Sequence, residues 1–360
     1  MDNNICITGL GIICSIGNDA ASVLDSLREG RPGIGSIKYL ETRHSHLPVG
    51  EVQLSDDQMK EILGIEGSEP MSRTSLMGAI AVRQALEQAG ITDISGKRVA
   101  LISGTTVGGM DLTEKYFERM KTDDSLLYLP QSNECGKSTL EIAEMAGLKD
   151  VETCTISTAC SSALNSIILG AEMLKRDEVD IVIAGGSESL SKFHLNGFNT
   201  LMILDSEPCR PFDDTRAGLN LGEGAAFVVL QKNALNSLAY VSGYGNRCDA
   251  FHQTASSENG EGAYLAMKEA LEMAHLQPGD IQYVNAHGTG TALNDVSETN
   301  AIKQVLGEDA YKASVLNFCT ADLSNCPTTR NCRHCAAFYK GSAFIGAFIC
   351  HCRTDALTHP

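Results

Sequence analysis

Positive charge is scarce in this chain: 28 Lys and Arg stand against 45 Asp and Glu, a formal net charge of −17 over 360 residues. That balance argues against a protein whose main partner is nucleic acid, because phosphates are met by concentrated Lys and Arg. The amino terminus, MDNNICITGLGIIC, has no Lys or Arg ahead of its short apolar run. It therefore lacks the charged region and cleavage pattern of a secretory signal, and a cytoplasmic protein is expected. Long apolar runs are missing as well. The longest, GSAFIGAFIC at 341–350, is about half the roughly 20 residues that a spanning helix needs, so no membrane span is expected. Without a secretory context the 13 cysteines read as free thiols rather than as a disulfide framework.

The 43% hydrophobic content is that of a protein with a full core, and the length suits two domains or one large domain built from two halves. Short β-branched runs alternate with stretches of helical period: ICIT at 5–8, VALIS at 99–103, CTIS at 154–157, DIVIA at 180–184, AFVVL at 226–230, YVSG at 240–243 and YVNA at 283–286. Continuous apolar strands that run into glycines are the mark of sheets covered by helices on both faces, so the class is α/β. An internal echo supports a duplication. AIAVRQALEQAGI at 79–91 aligns without gaps on YLAMKEALEMAHL at 264–276, and the strands after them, VALISGTT and YVNAHGTG, match in turn. A duplicated α/β unit places a site where its halves meet.

Within TCTISTACSSAL, at 153–164, a strand gives way to a helix whose apolar positions Ala163, Leu164, Ile167, Ile168, Ala171 and Leu174 share one face. Thr158 is the expected N-cap, which puts Cys160 in the first turn, where free amides and the helix dipole favour thiolate. Small neighbours, Thr158, Ala159, Ser161 and Ser162, leave room for a carbonyl to reach the sulfur. Further on, NAHGTGTALNDVSE at 285–298 ends a strand on His287. A Cys and a His drawn together from distant parts of a chain make a nucleophile and its partner.

In order along the chain, ITGLGIICSIG near the start, SGTTVGG at 103, STACSSA around Cys160, IAGGSES at 183, CRPFDDTRAGLNLGEGAAFVVL at 209 and NAHGTGTALND at 285 resemble the β-ketoacyl-acyl carrier protein synthases. These are the elongating condensing enzymes of fatty acid and polyketide synthesis, and the resemblance spans about residues 1–315. It implies a thiolase-like fold, two duplicated βαβ-rich halves in a five-layered αβαβα arrangement, and a homodimer. It implies that Cys160 takes an acyl chain from acyl carrier protein as a thioester, and that His287 helps decarboxylate the malonyl carrier whose carbanion attacks it. Thr289 and Thr291 match positions that bind the phosphopantetheine arm, and Asp295 and Glu298 match acidic supports of the site. No metal and no dissociable cofactor are implied, since the pantetheine arrives on the carrier. A dinucleotide-binding reading of Gly9 and Gly11 fits less well, because the third glycine of that fingerprint falls at Cys14. A degradative thiolase would need a second cysteine followed by a glycine run near the end, which the sequence lacks.

The pattern breaks near residue 316. The family's lysine, its second histidine in a Gly-His pair and its late glycine-rich loop with a phenylalanine have no match in VLNFCTADLSNCPTTRNCRHC or in the residues after it. Six of the cysteines lie in residues 319–360, a stretch with a net charge of +2. The expected layout is thus an N-terminal half over 1–235 with the nucleophile, a C-terminal half over 236–316 with His287 and without its closing strands, and a Cys-rich tail over 317–360. The tail admits three readings: zinc binding through pairs such as Cys332 and Cys335, natural divergence, or translation out of frame. The last accounts best for the abrupt loss of agreement and the change of charge. The non-enzyme alternative is an impaired subunit that serves as dimer partner or scaffold for an intact synthase.

Overall fold

A computed structural model describes residues 4–251, 256–307, 314–316, 334–340 and 345–352. The first half contributes β1 (Ile5–Cys14), β2 (Val99–Gly104), β3 (Glu152–Ile156), β4 (Ile181–Glu188) and β5 (Gly224–Lys232). The second contributes β6 (Ala239–Arg247), β7 (Tyr283–Asn285), β8 (Ser314–Leu316), β9 (His334–Lys340) and β10 (Ile345–Cys352). All join one sheet in the order β3-β2-β4-β5-β1-β6-β10-β9-β7-β8.

That order reads the same from both ends once each strand of the first half is matched to the one five places later. The directions match too. β2 runs parallel to β3 and β4, as β7 does to β8 and β9, while β5 and β10 are antiparallel to both neighbours. The halves meet where Ile5–Ile7 pair antiparallel with Ala239–Val241. All seven strands expected from the β-branched runs are present, and the duplication seen in the helices extends to the whole sheet. In the sheet order β9 and β10 stand where β4 and β5 stand in the first half. The segment between β8 and β9, residues 317–333, lies outside the described residues.

Helix α1 (Ala20–Glu29) and α2 (Asp56–Leu63) are closed at their N-termini by reciprocal Asp19–Ser22 and Ser55–Gln58 capping boxes and at their C-termini by left-handed Gly30 and Gly64. The layers come from longer helices. α3 (Arg73–Gln88) covers one face of β1, β5 and β4, with Leu76, Met77, Ile80 and Val82 buried against Ile13, Phe227 and Val229. α6 (Ser162–Lys175) fills the other face. There Leu164, Ala171 and Leu174 pack with Ile102, Val182 and Leu230, and with Tyr244 from β6. α8 (Glu261–Ala274) lies on β6 and β10 and carries α9 (Ala292–Leu306) against it. The succession α3, first half-sheet, α6, second half-sheet, α8 is the five-layered arrangement.

The shared residues of the two echoing helices have a physical role. A Cβ on Gly9 would sit 2.1 Å from the Ala85 carbonyl oxygen, and one on Gly11 1.8 Å from that of Ala81. In the second half a Cβ on Gly243 would lie 2.3 Å from the Ala270 oxygen, and one on Gly245 2.2 Å from the Ala266 oxygen. Strand and helix backbones touch directly, so the glycines of GLG serve packing and not a pyrophosphate.

A second organising feature is a buried ion pair. Arg73, at the start of α3, donates through Nη2 to Glu223 Oε1 at 2.7 Å and to the Val52 carbonyl at 2.8 Å, and Glu223 also accepts from the Val52 and Leu190 amides. Asp111, in the first turn of α4 (Met110–Met120), lies beside this pair. Burial pushes its carboxyl up to about 7; the Asp56 and Glu223 charges add to the shift and the Arg73 amide opposes it. These groups line a cavity of ≈ 430 Å³ that includes neither Cys160 nor His287.

Both features can be probed by substitution. Gly11→Ala and Gly245→Ala should each destabilise the protein by about 1–3 kcal/mol in urea unfolding, because a backbone carbonyl has no room to give way. For Asp111, a folded-state value raised above the unfolded one means that stability is lost as pH climbs from about 4 to about 7. Asp111→Asn should therefore raise Tm by roughly 2–4 °C more at pH 8 than at pH 5 in thermal melts.

Candidate active site

The turn that carries Cys160 is built from its own hydroxyls. Ser161 Oγ donates to the Thr158 carbonyl at 2.8 Å, Ser162 Oγ donates to the Ala159 carbonyl at 2.6 Å, and the Thr158 amide donates back to Ser162 Oγ at 2.8 Å. Asn165 Nδ2, one helical turn on, donates to Thr158 Oγ1 at 2.8 Å. These bonds close the chain tightly enough to hold Ala159 at φ 53°, a left-handed conformation that costs a non-glycine residue about 1–2 kcal/mol. Cys160 comes next and is exposed.

The helix therefore starts later than the sequence suggests. Its first residue is Ser162 and Ser161 is the N-cap, without a side-chain capping bond. Thr158 belongs to the turn instead, and Cys160 stands just ahead of the helix. The expectation of a favoured thiolate is also corrected. Although accessible, Cys160 is crowded by surrounding protein, which holds its thiol above the ordinary range; its own backbone N–H pulls the value down and the Glu188 carboxylate pushes it further up.

Glycines in two of the family motifs bring this turn against the sheet. A Cβ on Gly104, the last residue of β2, would lie 2.4 Å from the Ala163 amide nitrogen, and one on Gly186 in β4 would lie 2.8 Å from Ala163 Cβ. The Thr105 amide then bonds the Ile156 carbonyl at the end of β3 at 3.1 Å. The loops after β2 and β3 thus leave the sheet side by side.

In the second half the predicted residues form one unit. The His287 amide donates to Glu298 Oε1 at 2.7 Å and the Gly288 amide to Oε2 at 2.8 Å. Asp295 Oδ1 accepts from the Gly290 amide at 3.1 Å, and the Thr289 and Thr291 hydroxyls are 2.8 Å apart. Both carboxylates are buried; Asp295 lies in the first turn of α9, where the helix N-terminus favours negative charge, and Glu298 stands one turn further on. They hold the loop that carries His287 and the two threonines. Cys160 stands ahead of α6 in the first half, and His287 follows β7 in the second.

What connects the units is the CRPFDDTRAGLNLGEG segment, whose part the sequence alone does not reveal. Asp295 Oδ2 accepts from the Phe212 amide at 2.7 Å and faces Arg216 Nε at 3.6 Å. Phe212 is itself left-handed, at φ 64°. A Cβ on Gly290 would fall 2.5 Å from the Gly218 carbonyl oxygen, so the His287 loop and this segment touch through backbone. Near Cys160, Glu188 is likewise unmarked in sequence, although it ends the GGSE of a family motif. The seven cysteines whose side chains are described are free thiols. Among the described residues no group of three or more His, Cys, Asp or Glu is placed to hold a metal. The tail residues invoked for zinc lie outside the described side chains. No helix among the described residues is long and apolar enough to cross a membrane.

A duplicated α/β fold with a cysteine perched ahead of its central helix is the thiolase-like arrangement. Sequence comparison gives the family: the Beta-ketoacyl synthase N-terminal domain matches residues 2–236 and its C-terminal domain residues 238–317. The chain belongs to the β-ketoacyl synthase family, the condensing enzymes of fatty acid and polyketide synthesis. It is 33% identical over 336 residues to Nodulation protein E of Rhizobium meliloti (strain 1021), covering 88% of this chain and 80% of that protein. It is 30% identical over 333 residues to 3-oxoacyl-[acyl-carrier-protein] synthase 2 of Staphylococcus aureus (strain N315), covering 87% and 80%. In fold it is similar to the ishigamide ketosynthase/chain length factor, with a TM-score of 0.85, 24% identity and coverage of 98% and 99%. A type II polyketide ketosynthase bound to its acyl-carrier protein superposes with a TM-score of 0.82 at 19% identity, covering 98% of this chain and 100% of that one.

Asp295→Ala would strip the anchor from the Phe212 and Gly290 amides and leave Arg216 without its buried partner. A loss of about 3 kcal/mol in urea unfolding is expected. Peptide-resolved alkylation of Cys160 should stay unchanged, because its turn has no bond to Asp295.

Proposed function

We propose that this chain accepts an acyl group from acyl carrier protein on Cys160 and belongs to a decarboxylative condensation that extends it by two carbons. In the first step the Cys160 sulfur forms a bond to the acyl carbon, the carrier's pantetheine sulfur leaves, and the thiol proton goes with it. In the second, malonyl carrier loses carbon dioxide and its enolate carbon displaces Cys160. His287 is assigned to that decarboxylation, Thr289 and Thr291 to the pantetheine arm, and Asp295 and Glu298 to holding their loop. No metal or dissociable cofactor enters the scheme. The observation that carries the reading is the Cys160 turn itself, a self-bonded turn held against the ends of β2 and β4 in a chain matched to the family over both halves.

The setting proposed is a cytoplasmic dimer. β3 ends the sheet with one edge unpaired among the described residues, and its side chains are half-buried. A second copy, or a related subunit, adding a strand there would cover that edge.

One sequence feature favours a narrower activity. Residues 317–333, NFCTADLSNCPTTRNCR, hold neither a lysine nor a histidine. The family's remaining decarboxylation groups thus have no match there. We therefore infer acyl transfer onto Cys160 with little or no decarboxylation, which would leave the chain as the acyl-loaded or scaffolding partner of an intact synthase.

Incubation with an acyl carrier thioester and then intact-mass and peptide analysis should show one acyl group on Cys160, lost in Cys160→Ala. Added malonyl carrier should release carbon dioxide at no more than about 1% of the rate of an intact condensing enzyme, the loss typical when a general acid or base is removed. An unlabelled Cys160 would overturn the assignment of the nucleophile. Normal condensation would overturn the narrower reading alone.

A further inference from the structure

Residues 109–133 leave the body of the protein and return to the place where they left it. The Gly109 amide donates to the Ser132 carbonyl at 2.9 Å, Ser132 Oγ lies 2.9 Å from the Gly109 carbonyl oxygen, and Thr113 Oγ1 donates to Asn133 Oδ1 at 2.8 Å. The excursion holds α4 and two short 3₁₀ turns, Asp124–Leu126 and Leu129–Asn133. These share a small core, in which Leu112, Leu126 and Leu129 are buried and Tyr116 and Met120 pack against them. That cluster is separate from the cores on the two faces of the first half-sheet. On its outer side Phe117, Leu127 and Tyr128 are 55%, 58% and 48% exposed.

Three side chains of α4 tie this unit to the body, each at the first turn of another helix. Asp111 Oδ2 accepts from the Arg73 amide at 2.8 Å, where α3 begins. Glu114 accepts from the Lys192 and Phe193 amides, both at 2.7 Å, where α7 (Lys192–Thr200) begins. Lys115 Nζ donates to Asp56 Oδ2 at 2.7 Å, where α2 begins. The same helix walls the cavity of ≈ 430 Å³ through Asp111, Glu114, Lys115 and Tyr116, and the rest of the chain completes the lining, with Tyr39 and Arg73 among it.

The roots of the excursion are held independently. Glu188, at the end of β4, accepts the Thr106 amide at 2.5 Å and lies 3.3 Å from the Thr105 hydroxyl, which accepts the Gly108 amide at 3.2 Å. One carboxylate thereby fixes the loop from Thr105 to Gly108. Beyond it come Gly108, left-handed at φ 59°, and Gly109, an N-cap with no side chain to bond the helix. On the return side α5 (Cys135–Met145) starts with Cys135, whose sulfur donates to the Thr106 carbonyl at 3.6 Å.

We propose that residues 109–133 form a lid over this cavity, which opens as one unit about Gly108 and Gly109 when the bonds of Asp111, Glu114 and Lys115 break, and which leaves the Cys160 turn in place. Because the ends of the unit are bonded to each other and its small core travels with it, opening costs the ties of α4 and spares the main core. With the lid open, Arg73 and Glu223, otherwise buried, meet solvent or a ligand. The hinge lies beyond the loop that Glu188 fixes, which is why the Cys160 turn does not move with it.

Hydrogen exchange on the full chain tests this at the amides that the lid itself covers. In the wild type the Arg73, Lys192 and Phe193 amides should show the same protection, since one opening frees all three; unequal protection overturns the proposal without any variant. Glu114→Ala should speed exchange of the Arg73 amide, which Glu114 does not touch, by about tenfold, the worth of bonds to a charged acceptor. Lys115→Met should speed the Lys192 and Phe193 amides by about threefold, the worth of a half-exposed ion pair. If each variant alters exchange only at its own partner, the ties are independent and there is no lid. The chain has no tryptophan, so Tyr39→Trp supplies a single reporter in the cavity wall, and adding Glu114→Ala should make it more easily quenched by acrylamide; unchanged quenching overturns the cover over the cavity. Iodoacetamide alkylation of Cys160 should be the same in every variant, and a change there would show that the hinge is misplaced.

Discussion

Everything in this molecule is arranged around a direct contact between strand and helix backbones. Gly9 and Gly11 lie against the carbonyls of Ala85 and Ala81, and Gly243 and Gly245 repeat the contact on Ala270 and Ala266. At such a distance neither partner tolerates a side chain. The two middle strands of the sheet, β1 and β6, are therefore pressed onto α3 and α8, and their opposite faces are left to the central layer. Tyr244 stands between the two glycines of β6 and points the other way, to α6, where its hydroxyl meets Glu172 and Lys175. Glycine on one face and a bulky residue on the next is the alternation a strand needs when a helix touches it on each side.

The first half is legible in sequence because its strands are continuous β-branched runs, buried on both faces as in β2 and β4. The duplication is legible because the residues shared by the two helices, Ala81 with Ala266 and Ala85 with Ala270, are those that meet glycine. β9 and β10 are not. HCAAFYK and IGAFICHC are poor in β-branched residues, and their strand identity comes from pairing with β6, β7 and each other across long separations in sequence. Tertiary context decides there what local preference does not.

The site shows the same division. Cys160, His287, Thr289, Thr291, Asp295 and Glu298 stand out because they lie in motifs of small residues around one reactive or charged group. The start of α6 is misplaced by sequence because Thr158 looks like a cap, whereas Ser161, Ser162 and Asn165 spend their side chains on a turn ahead of the helix. Glu188 and the Arg73–Glu223 pair escape notice for a different reason. Their partners lie between 82 and 150 residues away, and nothing in a single sequence marks which buried carboxylate faces which loop.

The physical independence of the two units bears on how the chemistry is divided. The Cys160 turn is held by residues 158–165, by the glycines of β2 and β4 and by the loop that Glu188 fixes, all within the first half. The His287 loop depends on Glu298 and Asp295, and it is joined to the first half by Phe212, Arg216 and the Gly218–Gly290 contact. In the proposed scheme acyl capture draws on the first set, and decarboxylation on the second together with groups beyond β8, where the sequence has no match to the remaining family residues. Duplication gives each half a core of its own, and the halves are joined by the pairing of β1 with β6, by Tyr244 against α6 and by the contacts of Phe212, Arg216 and Gly218 with the His287 loop.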